Sequence, residues 1–407
     1  MPRKKMNAPK NMSMCEELTL GSVLNAFPRS QIETMLDKHG RNTKRFRLLP
    51  AFLTVYQVIM IGFYGEASLR EILRVMLEKL LNLFAFGKLQ IADRSSITTA
   101  RQKVGHEVLK ELFETNVKPV ATKEHKGCYF KDLRIVAVDG SEIELINSKE
   151  NSAFFGKRLN QHGEAGYPTM RFVSLIECGT RIMFAVATGG VHDGELTLFE
   201  KLHEKLEPKM LLLADRYYYS FKLWCKLGRM GVKLLFRMKT GLAMKKLRRL
   251  KDGSYVVEII PPAGAIDEGV CKAGEKILAR VIEYETLYRD GKKGEMIRLM
   301  TNILDENFAT AEEIARLYAE RWDIETGLCE LKTWLKRPKK TFKSQLPDLV
   351  VQEFYGCMMA HYVVRKTMAA AALKGGIAPA ELSFIHSLRV LKRKFQAFSP
   401  SELQDVS

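Results

Sequence analysis

Three acids and a basic stripe stand out by type and spacing. Asp139 follows the apolar run Ile135-Val136-Ala137-Val138, and Asp215 follows Leu211-Leu212-Leu213-Ala214. An acid at the end of an apolar strand is ordinarily a turn or capping residue. Two such acids can meet if their strands are parallel neighbours, because ligands collect beyond the carboxyl ends of such strands. The third acid, Glu325, lies in a helical stretch that opens with Thr310-Ala311-Glu312-Glu313, a capping box with Thr310 as the cap and Glu313 reaching back. On a continuous helix from Thr310, the residues Tyr318, Arg321, Glu325 and Lys332 fall within an arc of about 60°. Trp322 lies beside this stripe. Taken alone, the stripe is equally an i,i+4 ion pair of Arg321 and Glu325 on a solvated helix. Taken with the two aspartates, it completes a set of three carboxylates. Such a set suits hard divalent cations, Mg2+ or Mn2+. A pair of ions about 4 Å apart activates an attacking oxygen and stabilises a leaving oxygen in an in-line phosphoryl transfer. Arg321 and Lys332 would supply the cationic partners that phosphate needs.

The charge balance agrees with a phosphate-bearing substrate. The 407 residues carry a net charge of +18, and a balance that basic points to a polyanionic partner, most often nucleic acid. Three acid-free blocks hold nearly all of the excess: residues 1–12, 237–251 and 331–347. The last block starts at Lys332 and includes Lys336 and Arg337, so it would continue a phosphate track down the same helix. Seven scattered cysteines without a CxxC pair argue against a disulfide framework and a zinc site, and for a reducing compartment. The basic N-terminal residues are not followed by an apolar stretch, so no secretion signal is expected. Residues 48–65 carry no charge, the length of a membrane span, but they include Pro50, Thr54, Gln57 and Gly62. A buried helix of a soluble domain is the better reading.

The elements that must position these side chains follow from periodicity. Residues 1–12 are expected to be a disordered basic arm, and residues 13–128 a helical N-terminal domain, with DNA binding and a simple packing role both open to it. From residue 129 to 340 the pattern is that of a mixed α/β sheet. It includes a hairpin of 171–177 with 181–188 around Cys178-Gly179-Thr180. Within it, residues 240–296 break the α/β order with turn signals and β-rich runs, as a β insertion would. Residues 341–407 read as a helical C-terminal region with possible subunit contacts. The stripe Met358, Met359 and Val363 there suits core or a subunit contact.

Several of these segments resemble one family. Tyr318-x2-Arg321-x3-Glu325-x6-Lys332 has the spacing of the YREK signature of insertion-sequence-4 family transposases. Val138-Asp139-Gly140-Ser141 resembles the family's first catalytic segment. Leu213-Ala214-Asp215-Arg216-Tyr217-Tyr218-Tyr219-Ser220 resembles its second. Tyr167-Pro168-x2-Arg171 with the following hairpin, and residues 18–80, are also similar to the family. The resemblance implies an RNase H-like mixed-sheet catalytic domain with a β-rich insertion, flanked by helical N- and C-terminal regions. It implies a metal-binding triad of Asp139, Asp215 and Glu325 holding two Mg2+ or Mn2+ ions. Tyr318, Arg321 and Lys332 would grip the phosphate near a transposon end. The implied activity is cut-and-paste transposition through a hairpin-ended intermediate. The implied partners are double-stranded DNA, as terminal inverted repeats and target, and further copies of the chain in a dimer or larger synaptic complex. The expected location is the bacterial cytoplasm, at the nucleoid. Trp322 could stack on a displaced base.

Other residues carry weaker signals. His192-Asp193-Gly194-Glu195 reads as a loop and helix start. Glu142 and Glu144 read as exposed acids. No serine or cysteine has a visible base partner, and GxxxxGK[ST] is absent, so neither nucleophilic catalysis nor ATP use is supported. Two alternatives stay open on residues alone: an RNase H-like nuclease without strand transfer, and a non-catalytic DNA-binding protein.

Overall fold

The computed structural model describes residues 20–43, 49–65, 67–84, 91–160, 163–239, 241–287, 293–335, 342 and 344–396. The expected arm 1–12, Lys336 and Arg337 lie outside the described residues. Lys332 is placed in its helix, but its side chain is not described. The chain forms two compact units. One comprises residues 117–347 with 377–380. The other comprises the described residues up to Asn116 together with 348–376 and those from Glu381 onward.

The helical unit begins with α1 (Leu20–Ala26), α2 (Arg29–Lys38), α3 (Ala51–Phe63), α4 (Leu69–Phe84), α5 (Arg94–Val104) and α6 (His106–Asn116). The uncharged stretch is α3, started by Pro50 and buried at every residue. It is a core helix, and no helix among the described residues is long and apolar enough to cross a membrane.

The α/β unit carries eleven strands among the described residues. They are β1 (Tyr129–Phe130), β2 (Leu133–Glu144), β3 (Lys157–Asn160), β4 (Gly163–Glu177), β5 (Ile182–Gly189), β6 (Met210–Ala214), β7 (Lys233–Arg237), β8 (Met244–Arg249), β9 (Tyr255–Ile259), β10 (Ile277–Leu287) and β11 (Lys293–Thr301). Helix α7 (Lys149–Phe155) follows β2, α8 (Glu195–Glu200) follows β5, and α9 (Phe221–Arg229) joins β6 to β7. The central order is β5-β4-β2-β6-β7. The pairs β5–β4 and β4–β2 are antiparallel, and β2–β6 and β6–β7 are parallel. This is the mixed sheet of an RNase H-like fold. Strand β6 is buried throughout, as a central strand covered on both faces must be.

The insertion does not form a body of its own. Strand β11 pairs antiparallel with β7, and β10, β9 and β8 continue the sheet outward to an edge at β8. The chain then enters α10 (Ala311–Ala319) and α11 (Trp322–Leu335). The capping box is present: Glu313 N–H donates to Thr310 Oγ1 at 3.2 Å, and Thr310 N–H to Glu313 Oε2 at 2.8 Å. The single helix expected from Thr310 is broken, however. Glu320 N–H bonds Leu317 O, Arg321 N–H bonds Tyr318 O, and Ile324 N–H bonds Arg321 O. These i→i−3 bonds tighten the chain for one turn, so the calculated 60° arc does not hold.

Helices α12 (Pro347–Gly375) and α13 (Phe384–Gln396) are the last elements among the described residues. From Asp348 on, α12 belongs to the same unit as α1–α6. Residues 349–365 are all buried, Met358, Met359 and Val363 among them. A helix buried on every face needs neighbours on every face. Glycines allow the closest approach. A Cβ on Gly62 would lie 2.7 Å from Ala360 Cβ, and one on Gly356 would lie 2.4 Å from Val58 O.

Candidate active site

Parallel pairing of β2 with β6 brings the two aspartates side by side. The register sets Ala137 opposite Leu213, and Asp139 and Asp215 each stand two residues further on. Both acids also serve the backbone. Asp139 Oδ1 accepts from Gly140 N–H at 2.8 Å. Asp215 Oδ1 accepts from Tyr217 N–H at 2.7 Å and caps a short 3-10 turn. The cap therefore falls on the same aspartate that the sequence singles out as a candidate site residue. In each aspartate Oδ2 is left without a hydrogen-bond partner among the described residues.

Burial pushes the Asp139 carboxyl up to about 6. The Gly140 N–H and the Arg321 guanidinium oppose the rise, and the negative charges of Asp215 and Glu195 add to it. Asp139 thus sits where acids converge and water is scarce, a place that favours a bound cation.

Glu325 is held through Arg321, whose Nη2 donates to Glu325 Oε1 at 2.8 Å. The same guanidinium lies 5.9 Å from the Tyr318 ring centroid and 5.7 Å from that of Trp322. Its Nε is buried with no hydrogen-bond partner among the described residues. Trp322 is 63% exposed. Tyr318, expected to face the phosphate, is buried instead. Its hydroxyl donates to Ala214 O at 3.3 Å, and burial pushes it up to about 12. Its ring therefore ties α10 to the end of β6, one residue before Asp215.

Helix α11 is anchored by acids pointing the other way. Asp323 Oδ1 accepts from Arg181 Nε at 3.0 Å and Nη2 at 2.8 Å, and Asp323 Oδ2 accepts from Gly179 N–H at 2.9 Å. Glu330 accepts from Arg181 Nη1 at 3.3 Å. At Gly327 the helix lies against Ile176, Arg181 and Met183, all near the β4–β5 turn. The start of α10 is held by the insertion: Asp252 Oδ2 accepts from Ala311 N–H at 2.7 Å and pairs with the buried Arg280, whose Nη1 donates to Ala309 O at 2.6 Å.

Two groups escape a reading of residues along the chain. Glu142, expected exposed, is clamped by Arg171 (Nη2 to Oε1, 2.7 Å) and by Arg158. Glu195 lies against Gly140, and its Oε2 accepts from the Tyr218 hydroxyl at 3.1 Å. No local pattern announces either contact. Among the described residues, the one group of three metal-type donor atoms within 4.8 Å of one another is His106, Glu107 and Asp348, in the helical unit. The acids of the site are more widely spaced than that.

The blocks of positive charge are placed in part. In 237–251, Arg237 pairs with Glu295 and Lys239 Nζ bonds Tyr219 O at 2.9 Å. Lys245, Lys246, Arg248 and Arg249 are exposed on the edge strand β8.

An RNase H-like sheet with acids closing its two central parallel strands defines a class of metal-dependent enzymes. Comparison with known proteins narrows the class. The family described as Transposase DDE domain matches residues 130–363, and that described as Insertion element 4 transposase N-terminal matches residues 17–114. The chain belongs to the insertion-sequence-4 family of DDE transposases, enzymes that cleave DNA and transfer its strands. It is 27% identical over 387 residues to the transposase InsG for insertion sequence element IS4 of Escherichia coli (strain K12), covering 92% of this chain and 83% of that one. It is 20% identical over 295 residues to a probable transposase for insertion sequence element IS5377 of Geobacillus stearothermophilus, 72% of this chain and 71% of that one. Among solved structures, a piggyBac transposase synaptic complex with hairpin DNA aligns at a TM-score of 0.43 and 9% identity, over 99% of this chain and 83% of that one. Membership implies that the protein binds DNA and uses a divalent metal ion.

Proposed function

We propose that the protein excises a transposon at its terminal inverted repeats and joins the ends to target DNA, with Asp139, Asp215 and Glu325 holding two Mg2+ or Mn2+ ions. The observation that carries the reading is the side-by-side placement of Asp139 and Asp215 at the ends of β2 and β6, with Arg321 bridging toward Glu325. The donor set fits the ions: every group is a carboxylate oxygen, and Oδ2 of both aspartates is uncommitted among the described residues. When bound, the ions activate an attacking oxygen and stabilise the leaving one.

The chain's own residues do the rest. Arg321 steers Glu325 and has a buried Nε to offer to a phosphate oxygen. Tyr318 acts as a positioning residue through Ala214. Trp322 offers an exposed face for stacking on a base, and Lys332, Lys336 and Arg337 extend the phosphate contacts. Each chemical step exchanges one P–O bond for another. Water cleaves one strand to leave a 3′-hydroxyl, that hydroxyl attacks the opposite strand to form a hairpin end, water reopens the hairpin, and the 3′-hydroxyl attacks target DNA. The enzyme works as a homodimer or larger synaptic complex, in the cytoplasm at the nucleoid.

The test uses Asp139→Asn, Asp215→Asn and Glu325→Gln with DNA carrying the element's terminal repeats. Each variant should lose Mg2+-dependent cleavage while retaining repeat binding in a mobility shift. Wild-type cleavage by any one of them removes that residue from the triad. Denaturing gels of the wild-type products should show hairpin ends as strands of doubled length, and their absence throughout the time course rejects that route.

A further inference from the structure

We propose that Glu195 is a fourth oxygen ligand of the divalent-metal site, alongside Asp139, Asp215 and Glu325. The inference rests on the reading of those three acids as a metal centre. Glu195 begins α8, on a segment that the metal-binding reading leaves unused. Its carboxylate occupies the space that a side chain at position 140 would fill. A Cβ on Gly140 would lie 2.5 Å from Glu195 Cδ and 2.8 Å from each carboxylate oxygen. Gly140 directly follows Asp139, so the missing side chain makes room for a second acid beside the first. The Tyr218 hydroxyl donates to Glu195 Oε2 at 3.1 Å, and the Tyr218 N–H bonds Asp215 Oδ1 at 3.4 Å. The acid is therefore tied to the segment that carries Asp215 as well.

Two further observations separate Glu195 from a casual surface acid. Among the described residues no Lys, Arg or His pairs with it, although its neighbours Asp139 and Asp215 are both acids. Its charge is felt at the Asp139 carboxyl, and two neighbouring carboxylates are a natural pair to share one cation. The loop before it is also firmly held. Arg171 Nη1 donates to Asp193 O at 2.7 Å, Gly190 N–H donates to Asp193 Oδ2 at 2.8 Å, and Val191 N–H donates to Phe155 O at 2.8 Å. Such bracing suits a ligand that must hold its direction. The competing role is structural: an acid at a helix start that accepts one hydrogen bond from Tyr218.

Mn2+ titration of the full-length protein without DNA separates the two roles. Binding is followed by loss of the free-ion electron paramagnetic resonance signal and by the rise in Tm. Glu195→Gln keeps the size and the acceptor for Tyr218 but removes the charge. It should weaken Mn2+ binding at least about tenfold without lowering the metal-free Tm. Tyr218→Phe removes the hydrogen bond and keeps the carboxylate, and should bind Mn2+ as the wild type does. Asp139→Asn should bind Mn2+ far more weakly than the wild type. Wild-type Mn2+ affinity in Glu195→Gln, with binding lost in Asp139→Asn, overturns the fourth ligand and leaves the triad standing. Wild-type affinity in Asp139→Asn as well overturns the metal centre itself. If Glu195→Gln does not fold, Glu195→Asp, which withdraws the carboxylate by one methylene, is read by the same outcomes.

Discussion

At the scale of single residues, the α/β unit holds groups whose burial makes them sensitive to acid. His203 is 3% exposed, neither ring nitrogen has a hydrogen-bond partner among the described residues, and the Phe199 ring stands edge-on at 4.7 Å. Burial, aided by the charge of Lys226, lowers its pKa to about 4. In the unfolded chain a histidine titrates near 6.5. Between those values the unfolded chain takes up a proton that the folded one refuses. Stability is therefore complete above about pH 6.5 and falls as the pH drops toward 4, by on the order of 3 kcal/mol from this residue. Denaturant unfolding at pH 7 and pH 5 should show the loss, and His203→Leu should reduce it. An unchanged pH slope in that variant excludes His203 as the cause. Tyr318→Phe removes one buried hydrogen bond to Ala214 and should cost about 1 kcal/mol of stability. It should also slow cleavage, because that bond sets the end of β6.

At the scale of elements, helices α10 and α11 are positioned from two sides. The insertion holds the start of α10 through Asp252 and Arg280, and the β4–β5 turn holds α11 through Arg181. The break between Ala319 and Trp322 lies between these two anchors. Arg181, Asp323 and Glu330 are all largely buried, with side-chain exposures of 13%, 11% and 17%. Arg181→Ala removes the guanidinium that pairs with the largely buried Asp323 and Glu330 and should destabilise the α/β unit by about 3 kcal/mol. It should lower cleavage much more than repeat binding. Calorimetry and paired binding and cleavage assays test this, and an unchanged Tm would mean that Arg181 does not anchor α11. The capping box was legible because its partners are three residues apart, and Thr310→Ala should cost about 1 kcal/mol. The helix break was not legible: Ala319-Glu320-Arg321 contains neither Gly nor Pro, and only the distant anchors distinguish the two halves.

At the scale of the whole molecule, the net charge of +18 and its confinement to blocks frame the DNA interaction. Exposed Lys245, Lys246, Arg248 and Arg249 also protect the sheet edge at β8 from pairing with another chain. Binding of repeat DNA should weaken steeply with salt. Replacing Lys332, Lys336 and Arg337 by Gln should reduce the log–log salt slope by up to about 3 if each meets a phosphate. An unchanged slope in the triple variant would move the DNA path away from the block 331–347.

What neighbours along the chain encode was readable in advance: the types and spacing of Tyr318, Arg321, Glu325 and Lys332, the hairpin over residues 171–188, the cap at Thr310 and the location of the charge. These depend on interactions a few residues long. The pairing of β2 with β6 could be stated only as a condition, because two apolar runs ending in aspartate carry no record of who their neighbour is. Packing of the full chain decided that pairing. It also decided the burial of Tyr318, the arrival of Glu195 beside Gly140, and the union of α12 with the N-terminal helices. Each joins segments far apart in the chain, whose contact depends on the shape and burial of everything between them.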